Sequence, residues 1–150
     1  MGNYWDTPED ILTVMTLAQV VELSADQPDQ DGVYRPDWSI VETFLRDAQD
    51  NINNKLRRRV NLPLDVVPNS VRLDVKRLAK IGLFRRREKA NDDMGKEEKR
   101  ILDKYQAIAD GDDELVGVTD QGKTASGISG AQAAGNAPQT MFGKKKPWGF

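Results

Sequence analysis

An all-α fold, a small bundle of four to five helices carrying a long extended C-terminal tail, is what this sequence predicts. Three observations predict it. Apolar residues recur at spacings of three and four in several segments separated by Pro-, Gly- and Asp-rich breaks. The one stretch that reads as a strand is the short "ELVGV" at 114–118, which would add at most one. From Asp120 to Thr140 only Ile128 is large and apolar, the composition of a linker with nothing to bury. The reading therefore divides the chain into a helical domain, residues 1–118, and a tail, residues 119–150.

The elements follow in order. In "DTPEDILTVMT" Thr7 suits an N-cap, Pro8 the first helical position, and Glu9 and Asp10 the positive end of the helix dipole. Ile11, Leu12 and Met15 give its apolar face. A second short helix, "TLAQVVELSA", turns Leu17, Val20, Val21 and Leu23 inward, and "DQPDQDGVYRPD" is a polar loop. The longest helix starts at a cap on Asp37 or Ser39 and runs to about Arg59. Its stripe is Ile40, Val41, Phe44, Leu45, Ala48, Ile52 and Leu56. "NLPLDVVPN" breaks the pattern with two prolines. Asn69 or Ser70 caps the next helix, to about Lys89, with Val71, Val75, Leu78, Ala79 and Leu83 as its core face. Gly82 in mid-helix points to a close neighbour. "NDDMGK" reads as a turn. A last helix spans about Lys96 to Asp110, with Ile101, Leu102, Tyr105 and Ile108 apolar and Gly111 as its stop.

Composition excludes several kinds of chemistry. The 150 residues include no cysteine and no histidine, so disulfides, thiolate nucleophiles, imidazole bases and the usual zinc sites are out. Asp92–Asp93 and Asp112–Asp113–Glu114 read as solvated caps. "DGDDELVGVTDQG" lacks the calcium-loop pattern, and "GISGAQAAG" lacks the Lys-Ser/Thr of a phosphate loop. The expectation is a protein that is not an enzyme and takes no cofactor and no metal. No apolar run approaches the roughly 18 residues of a membrane span, and the N-terminus lacks the marks of a signal peptide. The chain is expected to be made in the cytoplasm without a membrane partner.

The net charge of −2 hides an asymmetry. Residues 1–50 carry 2 basic and 11 acidic side chains, whereas residues 51–100 carry 15 basic and 7 acidic ones. Basic residues gather at Lys55, Arg57, Arg58 and Arg59, and again at Arg85, Arg86 and Arg87. Three readings stand side by side: solvated helix ends, where cations suit the dipole; a contact with an acidic partner or with the acidic half of another copy; and a phosphate-binding surface. Only Phe84 interrupts the basic cluster, so base stacking has little support. The ten-residue linker with its two prolines is too long for a helix–turn–helix.

The tail ends in "MFGKKKPWGF", with three aromatics and three lysines. Ordering ten residues costs about 10–20 kcal/mol. Burying three aromatics returns roughly 11–19 kcal/mol. One tail is near break-even, but several tails gripping one assembly gain from effective concentration. The tip reads as a multivalent anchor.

Four stretches and the tip together resemble the head-to-tail adaptor (head-completion, connector) proteins of tailed bacteriophages. They are "YWDTPEDILTVMTLAQVVELSAD", "IVETFLRDAQDNINNKLRRRVNLPL", "VPNSVRLDVKRLAKIGLFRRRE" and "EEKRILDKYQAIADGDDELVGV", followed by the closing "KKPWGF". The long Gly/Ala-rich spacer and the Pro-Trp in the tip depart from the family's pattern. The resemblance implies a virion protein of the neck, assembled in the host cytoplasm, that forms a ring of about twelve copies under the portal protein. Such a ring extends the DNA channel, lets DNA pass without sequence-specific contact, and docks a stopper or tail-completion protein. It implies portal contacts for Phe142, Lys144, Lys145, Lys146, Trp148 and Phe150. Lys55, Arg57, Arg58, Arg59, Arg85, Arg86 and Arg87 would face either a neighbouring subunit or the DNA. The alternative is a small nucleic-acid-binding regulator or packaging accessory that uses the basic helices.

Overall fold

The computed structural model describes residues 2–115. A 3₁₀ turn, Pro8–Thr13, is followed by four α-helices: α1 Leu17–Ser24, α2 Trp38–Leu56, α3 Asn69–Arg86 and α4 Asp92–Asp110. The all-α expectation holds. The tail and its tip residues, Phe142, Lys144, Lys145, Lys146, Trp148 and Phe150, lie outside the described residues, as does most of 114–118.

Helix α2 is the central element and packs against α3, α4, α1 and the 3₁₀ turn. Its stripe is the one read from the sequence: Val41, Leu45, Ala48, Ile52 and Leu56 are buried, and Ile40 and Phe44 pack against them. Asp37 caps it, its carboxylate accepting from the Ser39 and Ile40 amides at 3.1 and 3.4 Å. Helix α3 crosses it at Gly82, where a Cβ would stand 2.7 Å from Phe44 Cδ1. The glycine is there for that approach, as expected.

Polar side chains tie the chain's start into the bundle. The Tyr4 hydroxyl donates to Asn53 Oδ1 at 2.7 Å and accepts from the Leu64 amide at 3.2 Å. The Tyr4 amide donates to Gln49 Oε1, and Gln49 Nε2 donates to the Gly2 carbonyl. Tyr4, Trp5, Gln49 and Asn53 are all buried. Ser24 does the same between helices: its hydroxyl donates to the Val20 carbonyl and accepts from the Asp37 amide, joining the end of α1 to the start of α2.

Several sequence expectations are corrected. The first element is 3₁₀, whose tighter winding keeps Ile11 buried and turns Leu12 out, at 41% exposure. Leu17, the first residue of α1, is also exposed, because the buried stripe begins one turn later at Val20, Leu23 and Ser24. Helix α2 ends at Leu56 rather than Arg59; a tight turn follows, with the Arg59 and Val60 amides on the Leu56 carbonyl. Neither Asn69 nor Ser70 caps α3. Pro68 precedes it in extended geometry, and its carbonyl accepts from the Val71 and Arg72 amides. Helix α3 ends at Arg86 instead of near Lys89, and Glu88 then adopts a positive φ of 58°. "NDDMGK" is the first turn of α4, not a loop: Asn91 caps Met94, and Asp92 and Asp93 complement the dipole. Gly111 stops α4 in the left-handed conformation, as read.

Candidate interaction surface

The two arginine triplets take different positions. Arg85–Arg87 end α3 and are held by the chain's own acceptors. Arg85 makes a two-pronged bond to Glu98 of α4, both contacts at 3.0 Å, and that carboxylate raises the guanidinium's already high pKa. Arg86 donates to the Leu23 carbonyl at 2.9 Å and to both oxygens of Asp26 at 2.8 and 2.6 Å. Arg87 donates to the Ala25 carbonyl at 3.1 Å and to Asp26 at 2.7 Å. Lys89 pairs with Glu22. The reason is local. Helix α1 has no basic residue in its last turn, so its terminal carbonyls need donors from elsewhere. The α3 arginines provide them and complement the negative end of its dipole. Bonding to Arg86, then to Arg87, holds the Asp26 carboxyl below its usual range.

Part of the charge asymmetry along the sequence is thereby cancelled in space. Glu22 and Asp26 of the acidic first half face Lys89, Arg86 and Arg87 of the basic middle.

A second cation is used inward. Asp74 is buried in α3, on the stripe with Val71, Val75 and Leu78, and takes bonds from Lys104 Nζ and from the Tyr105 hydroxyl at 2.8 Å. Arg77 stands 3.8 Å away. Burial first, and the Asp74 charge next, push the Tyr105 phenol well above its usual pKa. The sequence reading missed this group. The available signal was a carboxylate on an apolar stripe.

The triplet at Arg57–Arg59 is arranged otherwise. Arg57 reaches back to Asn54 Oδ1 at 2.9 Å. Arg59 is not a free cation: it is engaged, and its guanidinium lies beside Gly111, where a Cβ would meet Nη1 at 2.5 Å. Lys55 and Arg58 have no ion-pair partner among the described residues. They line an open groove of about 410 Å³ between α2 and α4, together with Asn51, Asn54, Leu102 and Gln106. Residues 51, 54 and 55 share one face of α2, Arg58 follows in the turn after it, and 102 and 106 are one turn apart on α4. The groove presents two cations and three amides over one apolar side chain, with no carboxylate in its lining. It suits an anion far better than a neutral or cationic ligand.

So Lys55 and Arg58 come together as a candidate binding surface, whereas Arg85, Arg86 and Arg87 are occupied within the chain. Among the described residues no group of three carboxylates is placed to hold a metal ion, and no helix is long and apolar enough to cross a membrane.

No curated protein matches the chain. Residues 5–134 match the sequence model of the family described as Bacteriophage Mu, Gp36, a span that covers the 3₁₀ turn, all four helices and the groove. With most of its length in that match, the chain belongs to the bacteriophage Mu Gp36 family and is a phage protein.

Proposed function

We propose that this protein is a structural, non-enzymatic component of the virion neck. In this reading it is a head-to-tail adaptor whose ring joins the capsid portal to the tail and continues the DNA channel. The observation that carries the proposal is the phage-family match over residues 5–134, laid on a small helical domain. The geometry weighs against the nucleic-acid-binding alternative. That alternative needs free cations in number, since affinity for DNA rises with each phosphate contacted. Arg85, Arg86 and Arg87 already hold Glu98, Asp26 and the end of α1. In the proposed assembly Phe142, Trp148 and Phe150 fill pockets of the portal protein, and Lys144, Lys145 and Lys146 meet its acidic groups. A stopper or tail-completion protein docks on the opposite side.

The test is co-sedimentation with rings of the cognate portal protein, for the full chain and for a chain ending at Thr119. Binding by the full chain alone supports the adaptor reading and the anchor role of the tip. If neither binds across a range of salt while the full chain retains duplex DNA, the adaptor reading fails in favour of the regulator.

A further inference from the structure

The α2–α4 groove has a complement on the same chain, in the loop between α1 and α2. That loop is a built structure. Asp29 organises it: Oδ1 accepts from the Asp31 and Val33 amides, both at 2.9 Å, and Oδ2 accepts from Arg35 Nε at 2.6 Å. The Asp29 amide donates to the Val33 carbonyl, and the Gly32 amide to the Asp29 carbonyl, with Gly32 at a φ of 78° that suits glycine. Bonding to Arg35 and to the backbone amides holds the Asp29 carboxyl below its usual range. What the loop presents outward is Asp31, with no cation beside it among the described residues, and next to it Val33 and Tyr34, 45% and 54% exposed. An acidic side chain beside an aromatic one, on a preformed turn, is a low-entropy binding element.

We propose that this loop of one copy docks in the α2–α4 groove of a second copy, with the Asp31 carboxylate between Lys55 and Arg58 and Tyr34 toward Leu102. The charges are complementary. Among the described residues the groove's two cations have no ion-pair partner and its lining holds no carboxylate, and Asp31 of the loop has no ion-pair partner either. The loop of one chain does not reach that chain's own groove. The loop joins α2 at Asp37, and the groove surrounds Asn54, 17 residues along the same helix. At 1.5 Å per residue the two stand about 25 Å apart. The contact therefore links copies, loop to groove, and a loop-to-groove contact repeated around a closed rotation makes a ring. DNA phosphate, the competing anion, would find two cations in this lining.

The inference deepens the ring reading given above by naming the two surfaces, and its test needs no portal protein. Self-association of the full chain is measured by sedimentation velocity at low salt, from micromolar to about millimolar concentration. The same is done for D31K and for the double variant K55E/R58E. Asp31 and Arg58 are exposed and Lys55 is half-buried, and an unchanged circular dichroism spectrum verifies folding. Each variant alone is expected to associate about tenfold more weakly or worse than the unaltered chain. A mixture of D31K with K55E/R58E is expected to recover association, because each carries the partner surface the other lacks. Three results overturn the inference: a monomeric unaltered chain over the whole range, association indifferent to both variants, or loss without recovery in the mixture. If K55E/R58E instead loses duplex DNA binding with association unchanged, the groove is a phosphate site and the inference is equally overturned. Portal co-sedimentation stands apart: it can fail while loop and groove still pair, or succeed while they do not.

Discussion

Residues 57–59 and residues 85–87 are the same tripeptide, three arginines at the end of a helix, and they have opposite fates. The second triplet is bonded across to α1 and α4. Of the first, Arg57 and Arg59 find partners, and Arg58, with no ion-pair partner among the described residues, joins Lys55 at the rim of a groove. Composition cannot separate them. What separates them is the neighbour. Beside Arg85–Arg87 lie a helix end short of donors and two acidic residues within reach. Beside Arg58 lie amides and a leucine. A basic run is a binding surface only where the fold leaves it unanswered.

The comparison is sharpest where a cation's partner is in the core. Replacing Asp74 with alanine leaves the Tyr105 hydroxyl without its acceptor and Lys104 without its counter-charge. Breaking a buried pair costs about 3–5 kcal/mol, and Lys104 is one-third exposed, so the lower end, about 3 kcal/mol, is expected in urea unfolding. The same group sets an alkaline limit. Tyr105 has a folded pKa above its unfolded value, so the folded state holds the proton more tightly. Its contribution is complete below about pH 10 and is lost as pH rises further. Tyr105→Phe should flatten the fall of the urea midpoint above pH 10; an unchanged slope would remove Tyr105 as its source.

Arg59 decides how far the first triplet resembles the second. Gly111 has a φ of 87°, and a side chain there meets the Arg59 guanidinium. Gly111→Ala is expected to cost about 1–2 kcal/mol from backbone strain, and a smaller amount from moving the flexible end of Arg59 aside. If Arg59→Ala recovers part of that loss in a double-mutant cycle, the contact is real and Arg59 belongs with the engaged arginines. Additive losses would show that Arg59 is held elsewhere than over Gly111.

Much of the scaffold was readable from spacing alone. The α2 stripe, its Asp37 cap, the Gly82 crossing and the Gly111 stop are all local signals, written within a few residues of the feature they cause. The failures are mostly non-local. Asp74 is answered from 30 residues away by Lys104, Arg86 from 60 residues away by Asp26, and Tyr4 by Gln49 and Asn53. A single sequence records such partners without recording that they meet. The missed start of α4 is different. "NDDMGK" reads as a turn yet contains a good cap and a favourable acidic first turn, both local signals. For the candidate surface, the basic residues were identified but not sorted, since sorting them required the positions of α1 and α4.

Arg86→Ala is expected to lower stability by about 1 kcal/mol. The bond to the Leu23 carbonyl is partly buried, while the Asp26 pair is solvent-screened and contributes little on its own. Its pH signature is on the acid side. Asp26 has a folded pKa below its unfolded value near 3.8, so its contribution is present above about pH 4 and is lost as pH falls through the folded value. Asp26→Asn should flatten the acid limb of the stability profile and leave the alkaline limb alone.

The smallest effect belongs to Arg58→Ala, and its smallness is the point. Lys55, in the last turn of α2, and Arg58, in the turn that follows, are like charges lining one groove, a repulsion of about 0.2–0.5 kcal/mol by analogy with helix pairs. Against this, cations at a helix C-terminus gain about 0.3–1 kcal/mol from the dipole. The two oppose, neither residue has an ion-pair partner to lose among the described residues, and the stability of the isolated domain should move by less than about 0.5 kcal/mol. Arg86→Ala and Arg58→Ala thus form a matched pair: the same substitution, one reading out in urea, the other silent there and visible only when a second molecule is present. A loss above about 1 kcal/mol for Arg58→Ala at protein concentrations where the chain is monomeric would mean that the groove is already answered within one chain. The distinction between the two triplets would then collapse.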